Sequence, residues 1–121
     1  MKTPRKRTAV LISGRGSNMT ALIEAASDPD YPAEIVGVIS DKANAPGLGM
    51  AAARGVPAQA IARSDYSDKQ AHDEAIDTAL GALGAEIVVL AGYMRILGRS
   101  FVEKWQGRII NIHPALLPSY K

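Results

Sequence analysis

Cysteine is absent from all 121 residues, which excludes disulfides, thiolate nucleophiles and cysteine-ligated zinc or iron–sulfur centres. A reducing, cytoplasmic setting fits that composition. Long apolar runs are absent too. Behind the basic cluster Lys2, Arg5, Lys6 and Arg7 stands only Ala9-Val10-Leu11-Ile12, too brief for a signal-peptide core or a membrane span. The cluster reads as a solvated tail leading into a strand. Charge of one sign is scarce, since 14 Lys and Arg against 12 Asp and Glu leave a net charge of +2. That excess is too local for a nucleic-acid face. No set of His, Asp and Glu has metal-ligand spacing, so no metal is expected. Internal repeats, low-complexity tracts and interdomain linkers are missing as well. What remains is a chain of single-domain length, 47% hydrophobic, for which one core is the natural expectation.

Strand and helix signals alternate along that chain. Thr8 to Ile12 is a continuous apolar run of the kind a strand covered on both faces needs, and Ser13-Gly14-Arg15-Gly16-Ser17-Asn18 breaks it. Met19, Leu22, Ile23 and Ala26 then follow the i, i+3, i+4, i+7 spacing of a helix, stopped by Ser27-Asp28-Pro29. Ile35 to Ile39 reads as a second strand ending in Ser40-Asp41, Gly47 to Arg54 as a short helix, and Ala58 to Ala62 as a third strand. Ser67 with Gln70 resembles a capping box opening a helix striped by Ile76, Ala79, Leu80 and Leu83 and closed by Gly84. Ile87 to Ala91 is a fourth strand, Arg99 to Trp105 a short helix, and a fifth strand ends at His113. Five strands separated by helices predict an α/β protein, a Rossmann-like parallel sheet with helices on both faces.

Ligands of such sheets bind beyond the carboxyl ends of the strands, and three polar loops meet that rule. In the first, residues 13–18, glycines admit close backbone approach, and the open N–H groups of the following helix favour an anion such as phosphate. Ser17 and Asn18 add side-chain donors. Met19 stands where the dinucleotide fingerprint needs its third glycine, and the glycine-lysine end of a P-loop is absent. An ordinary tight turn capped by Ser17 or Asn18 is the alternative. In the second loop, Gly92 to Leu97, the residues Met94, Ile96 and Leu97 would line a slot for a flat apolar ligand; packing of the loop onto the core accounts for them equally. The third is the end of the last strand. Asn111 and His113, two apart, project in the same direction beside the stop set by Pro114. An amide and an imidazole placed so would hold a carbonyl oxygen and shuttle a proton through a tetrahedral intermediate; a core histidine bonded to an asparagine is the bland alternative. Asp41, after the second strand, could mimic the acid that holds a ribose in nucleotide-binding folds, but without the third glycine it is read as a turn residue, and His72, amid polar neighbours, as a solvated surface group.

Ile12-Ser13-Gly14-Arg15-Gly16-Ser17-Asn18, Leu90-Ala91-Gly92-Tyr93-Met94-Arg95-Ile96-Leu97 and Asn111-Ile112-His113-Pro114-Ala115-Leu116-Leu117-Pro118 together resemble the phosphoribosylglycinamide formyltransferases, the folate-dependent transformylases of purine biosynthesis. The likeness runs from about Arg7 to the last residue. The third stretch alone marks the wider formyl-transfer group, which includes methionyl-tRNA formyltransferase and formyltetrahydrofolate deformylase; the glycine-serine-asparagine loop points to the glycinamide ribonucleotide enzyme. The resemblance implies that Gly16, Ser17 and Asn18 bind the phosphate of glycinamide ribonucleotide. It implies that Met94, Arg95, Ile96 and Leu97 form the pocket for the pteridine end of 10-formyltetrahydrofolate, the formyl-donor cosubstrate, and that Lys69 contacts the folate. By the same likeness Asn111 holds the formyl oxygen and His113 is the catalytic proton donor.

The family carries, in the second half of its domain, an aspartate that pairs with the histidine. No counterpart falls within these residues. A carboxylate beside an imidazole favours the charged form, so the expectation is an incomplete domain over 1–121 that holds the phosphate half of the site and is catalytically impaired alone. Two other classes stay open: a phosphate-binding module without chemistry, and a noncatalytic subunit whose sheet edge a second chain covers. A homodimer is one assembly left open.

Overall fold

A computed structural model of the chain describes residues 5–112; Lys2, His113 and the Pro114–Pro118 stretch lie outside them. Five parallel strands, β1 (Lys6–Ile12), β2 (Ala33–Ser40), β3 (Ala58–Ala60), β4 (Ile87–Ala91) and β5 (Ile109–Ile112), lie in the order β3-β2-β1-β4-β5. Helices α1 (Ser17–Ala26), α2 (Pro46–Ala53), α3 (Lys69–Leu83) and α4 (Arg99–Lys104) connect them. The chain therefore works outward from β1 through β2 to β3, then returns to β4 on the other side. The strand order reverses between β1 and β4, which is where open α/β sheets bind their ligands.

The apolar run at 8–12 explains why β1 is central. Ala9 and Leu11 face α3 and α4 in a cluster with Ile39, Ile76, Leu80, Val88, Phe101 and Trp105. Val10 and Ile12 face α1 and α2 in a second cluster with Met19, Ile23, Val38, Ala51 and Val89. Alternate side chains of one strand thus feed two cores, giving three layers. α3 lies so close to the sheet that a Cβ on Gly37 would stand 2.6 Å from Leu83 Cδ1. Gly37→Ala is expected to destabilise the protein by about 1–3 kcal/mol through overpacking, read as a lower urea midpoint; an unchanged midpoint would mean that α3 is not seated this tightly.

Several expectations are corrected. His72 is not a solvated surface group: it is 1% exposed, because it extends the Ile76–Leu80 stripe one turn toward the start of α3. Its Nε2 donates to the Ile61 carbonyl at 2.6 Å, so the imidazole is a satisfied core group. The cap of α3 is Asp68, whose carboxylate accepts from Ala71 N–H at 2.8 Å, and not the Ser67–Gln70 box. The helix starts at Lys69, so Ser67 lies one residue too early to be its cap. Arg5 is no free tail either. Its guanidinium donates to Tyr31 O at 3.0 Å, to Ala33 O at 2.8 Å, and to Ala26 O at the end of α1, where a cation is favourable. β3 stops at Ala60 rather than Ala62, since Ile61 to Asp65 bend into a 3₁₀ turn over Arg63–Asp65. Gly84 closes α3 at φ +69° as expected.

Candidate active site

The glycine loop, Asp41, the 92–98 loop and the end of β5 all lie on the carboxyl rim of the sheet. α1 begins after Gly16, which sits at φ +72°, ψ +37°, and among the described residues no side chain caps the helix. The alternative of a turn capped by Ser17 or Asn18 is therefore not what forms, and the first N–H groups of a ten-residue helix stay open for an anion. The start of α2 buttresses this loop. Gly47 N–H donates to Gly14 O at 3.0 Å, and a Cβ at Gly47 would stand 2.5 Å from Ile12 Cδ1 and 3.0 and 3.1 Å from the Gly14 and Arg15 carbonyl oxygens.

Side chains from three elements hold the 92–98 loop. Buried Ser13 accepts from Met94 N–H at 2.8 Å, Asp41 accepts from Arg95 Nε at 2.7 Å, and Asp73 accepts from Gly98 N–H at 2.8 Å. Asp41 is 2% exposed, so the reading of it as a mere turn residue fails: directly after β2 it sits under the rim, next to the place where the strand order reverses. Met94 and Ile96 are 75% and 80% exposed, whereas Tyr93 and Leu97 pack against the α3–α4 core. Core packing thus accounts for Leu97 and not for Met94 or Ile96, which form an apolar lip open to a ligand. Burial, with the negative charges of Asp41 and Asp73 adding to it, pushes the Tyr93 hydroxyl above its ordinary pKa.

Asn111 is exposed and stands in register with Leu90 of β4, which itself pairs with Leu11 of β1. Asn111 therefore lies toward the same rim as the glycine loop, two strands across from β1, a lateral spacing of roughly 10 Å at ordinary strand spacing. Ile110, on the other face of β5, is 50% exposed. Lys69 is the first residue of α3 and lines a groove of about 410 Å³ between α3 and α4 together with Asp73, Gly98 and Lys104. The groove touches the far end of the 92–98 loop at Gly98. Among the described residues no group of three or more His, Cys, Asp or Glu side chains is placed to hold a metal ion, and no helix is long and apolar enough to cross a membrane.

Ser13 was read from sequence as the first residue of the glycine loop but not as a partner of the 92–98 loop, and Asp41 and Asp73 were not read as part of this site. For Ser13 and Asp41 the signal was present: a polar residue immediately after a fully apolar strand, at the carboxyl rim. Asp73 gave no such signal, because α3 carries acidic residues on its solvent side as well.

A parallel sheet in the order β3-β2-β1-β4-β5 with its polar loops on the carboxyl rim is a Rossmann-like ligand-binding architecture, and comparison with known proteins gives its family. Residues 6–121 match the formyl transferase family, and the chain belongs to it. It is 50% identical over 119 residues to the trifunctional purine biosynthetic protein adenosine-3 of Bos taurus, covering 98% of this chain and 12% of that protein. To the phosphoribosylglycinamide formyltransferase of Haemophilus influenzae it is 44% identical over 115 residues, covering 95% of this chain and 54% of the relative. The crystal structure of the enzyme of that name from Brucella melitensis superposes with a TM-score of 0.90 at 52% identity, over 97% of this chain and 61% of that one. The chain spans about half the length of single-function curated relatives that it matches.

Proposed function

We propose that the protein to which these residues belong transfers the formyl group of 10-formyltetrahydrofolate to the amine of glycinamide ribonucleotide. The observation that carries this reading is the shared rim: an uncapped helix start suited to phosphate, an apolar lip suited to a flat ring, and an amide, all on the carboxyl side of one sheet. In the proposed arrangement the phosphate rests on the backbone of Gly16, Ser17 and Asn18. The pteridine lies against the outward side chains of Met94 and Ile96 and along the backbone of Arg95 and Leu97, whose side chains turn inward, and Lys69 meets the outer part of the folate.

The chemistry follows from what these groups can donate. The substrate amine attacks the formyl carbon, and the carbonyl oxygen gathers negative charge, which the Asn111 side-chain N–H stabilises. His113 is assigned the proton that nitrogen 10 of the folate needs as its bond to carbon breaks. The amine loses one proton, nitrogen 10 gains one, and formylglycinamide ribonucleotide and tetrahydrofolate leave. The sequence as written uses no metal and no covalent enzyme intermediate. We place the reaction in the cytoplasm, with no nucleic-acid or membrane partner. A homodimer would appear in light scattering as twice the chain mass.

Mixing the full-length protein with 10-formyltetrahydrofolate is expected to change the folate absorbance only when glycinamide ribonucleotide is present. Formate release without the ribonucleotide would instead make it a deformylase. No change under either condition, with phosphate still bound, would make it a binding module.

A further inference from the structure

Residues 93 to 97 alternate in direction: Tyr93 and Leu97 turn into the α3–α4 core, Met94 and Ile96 turn out, and between them Arg95 reaches inward to Asp41. The two apolar anchors need no explanation beyond burial. Arg95 does, since a long cation on a rim loop ordinarily keeps its head in water. What draws it in is a carboxylate whose side chain is wholly buried, while that of Arg95 is 45% exposed. We propose that Asp41 is a positioning residue for the formyl donor, which pins Arg95 and so holds the 92–98 loop with Met94 and Ile96 presented outward. This inference rests on the formyl-transfer reading and adds to it a residue that touches neither substrate.

Three further features fit this role. First, Asp41 is itself fixed, since its backbone N–H donates to Ile12 O at 3.3 Å and its carbonyl accepts from Arg63 N–H at 3.2 Å. The carboxylate therefore projects from a framework tied to β1 and to the 3₁₀ turn. Second, the loop is held at Met94 N–H by Ser13 and at Gly98 N–H by Asp73, but between those points Arg95 supplies its one polar side-chain anchor to the body of the sheet among the described residues. Third, the pair cancels its own charge. With Arg95 neutralised from below, the lip formed by Met94 and Ile96 offers a flat ring an apolar surface without a competing free cation. Losing the carboxylate would release the guanidinium to water and, with it, the alternation that exposes the lip.

Asp41→Asn keeps the shape of the side chain and removes its charge. In the full-length protein this variant is expected to raise KM for 10-formyltetrahydrofolate about tenfold, as loss of one charge-assisted hydrogen bond predicts, while KM for glycinamide ribonucleotide stays at its wild-type value. Amide hydrogen exchange of the ligand-free protein should accelerate across residues 93–97 and not across 14–19. Arg95→Gln, made at a partly exposed position, carries the same readouts should Asp41→Asn fail to fold. The double variant should be no worse than the singles, because all three remove one contact. Unchanged donor KM and unchanged exchange would overturn the proposal, as would an equal rise in both KM values. A wild-type protein without formyl transfer would strike the functional reading, and the exchange pattern would still decide whether Asp41 holds the loop.

Discussion

Asn111→Ala in the full-length protein is expected to lower kcat roughly 10²–10³-fold, the cost of removing one donor aimed at a developing oxyanion, and His113→Ala roughly 10²–10⁴-fold, the range for a positioned general acid. Neither should change the dissociation constant of glycinamide ribonucleotide much, because the proposal assigns both groups to the reacting carbon and the phosphate to the start of α1. Steady-state kinetics with a separate binding measurement distinguish these terms. Asn111 is solvent-exposed, so its truncation leaves the core intact and a fall in kcat is not a folding effect. Wild-type turnover in both variants would mean that the end of β5 is structural and that the chain binds phosphate without acting on a formyl group.

Gly47→Ala is expected to act on the other half of the site. The new methyl would meet the Ile12 terminal methyl at 2.5 Å and the Gly14 and Arg15 carbonyl oxygens at 3.0 and 3.1 Å. Ile12 is fully buried in the α1–α2 core and has little room to retreat, so the relief comes from the loop, which moves off the start of α2. A displacement of that kind weakens backbone contacts to the ligand, and the loss of about 1.4 kcal/mol of them is tenfold in affinity. KM for glycinamide ribonucleotide and the Kd of inorganic phosphate should both rise about tenfold, with KM for the formyl donor unchanged. Overpacking should also lower the urea midpoint, by the equivalent of about 1–3 kcal/mol. An unaltered phosphate Kd would show that α2 does not shape the anion loop.

The fold was legible because its determinants are local. The 8–12 and 87–91 runs could only be buried strands, Gly84 could only end a helix, and the alternation of strand with helix leads to a parallel sheet. Of the site, the parts that depend on rim position alone were legible: the glycine loop and Asn111 need nothing beyond a strand end. The parts that depend on which loops meet were not. Asp41 and Arg95 are 54 positions apart in sequence, and nothing in either neighbourhood says that β2 and β4 flank β1 on opposite sides. The same blindness put His72 in solvent, since its polar neighbours in sequence hide the Ile61 carbonyl that the fold places against its ring.

The most direct test is a crystal structure of the full-length protein with glycinamide ribonucleotide and an unreactive analogue of the formyl donor. The account predicts the phosphate on the N–H groups at the start of α1, the ring of the analogue against Met94 and Ile96, and the Asn111 amide within hydrogen-bond distance of the atom that replaces the formyl oxygen. A phosphate bound away from residues 16–18, or an analogue seated in the α3–α4 groove with Asn111 facing solvent, would contradict it.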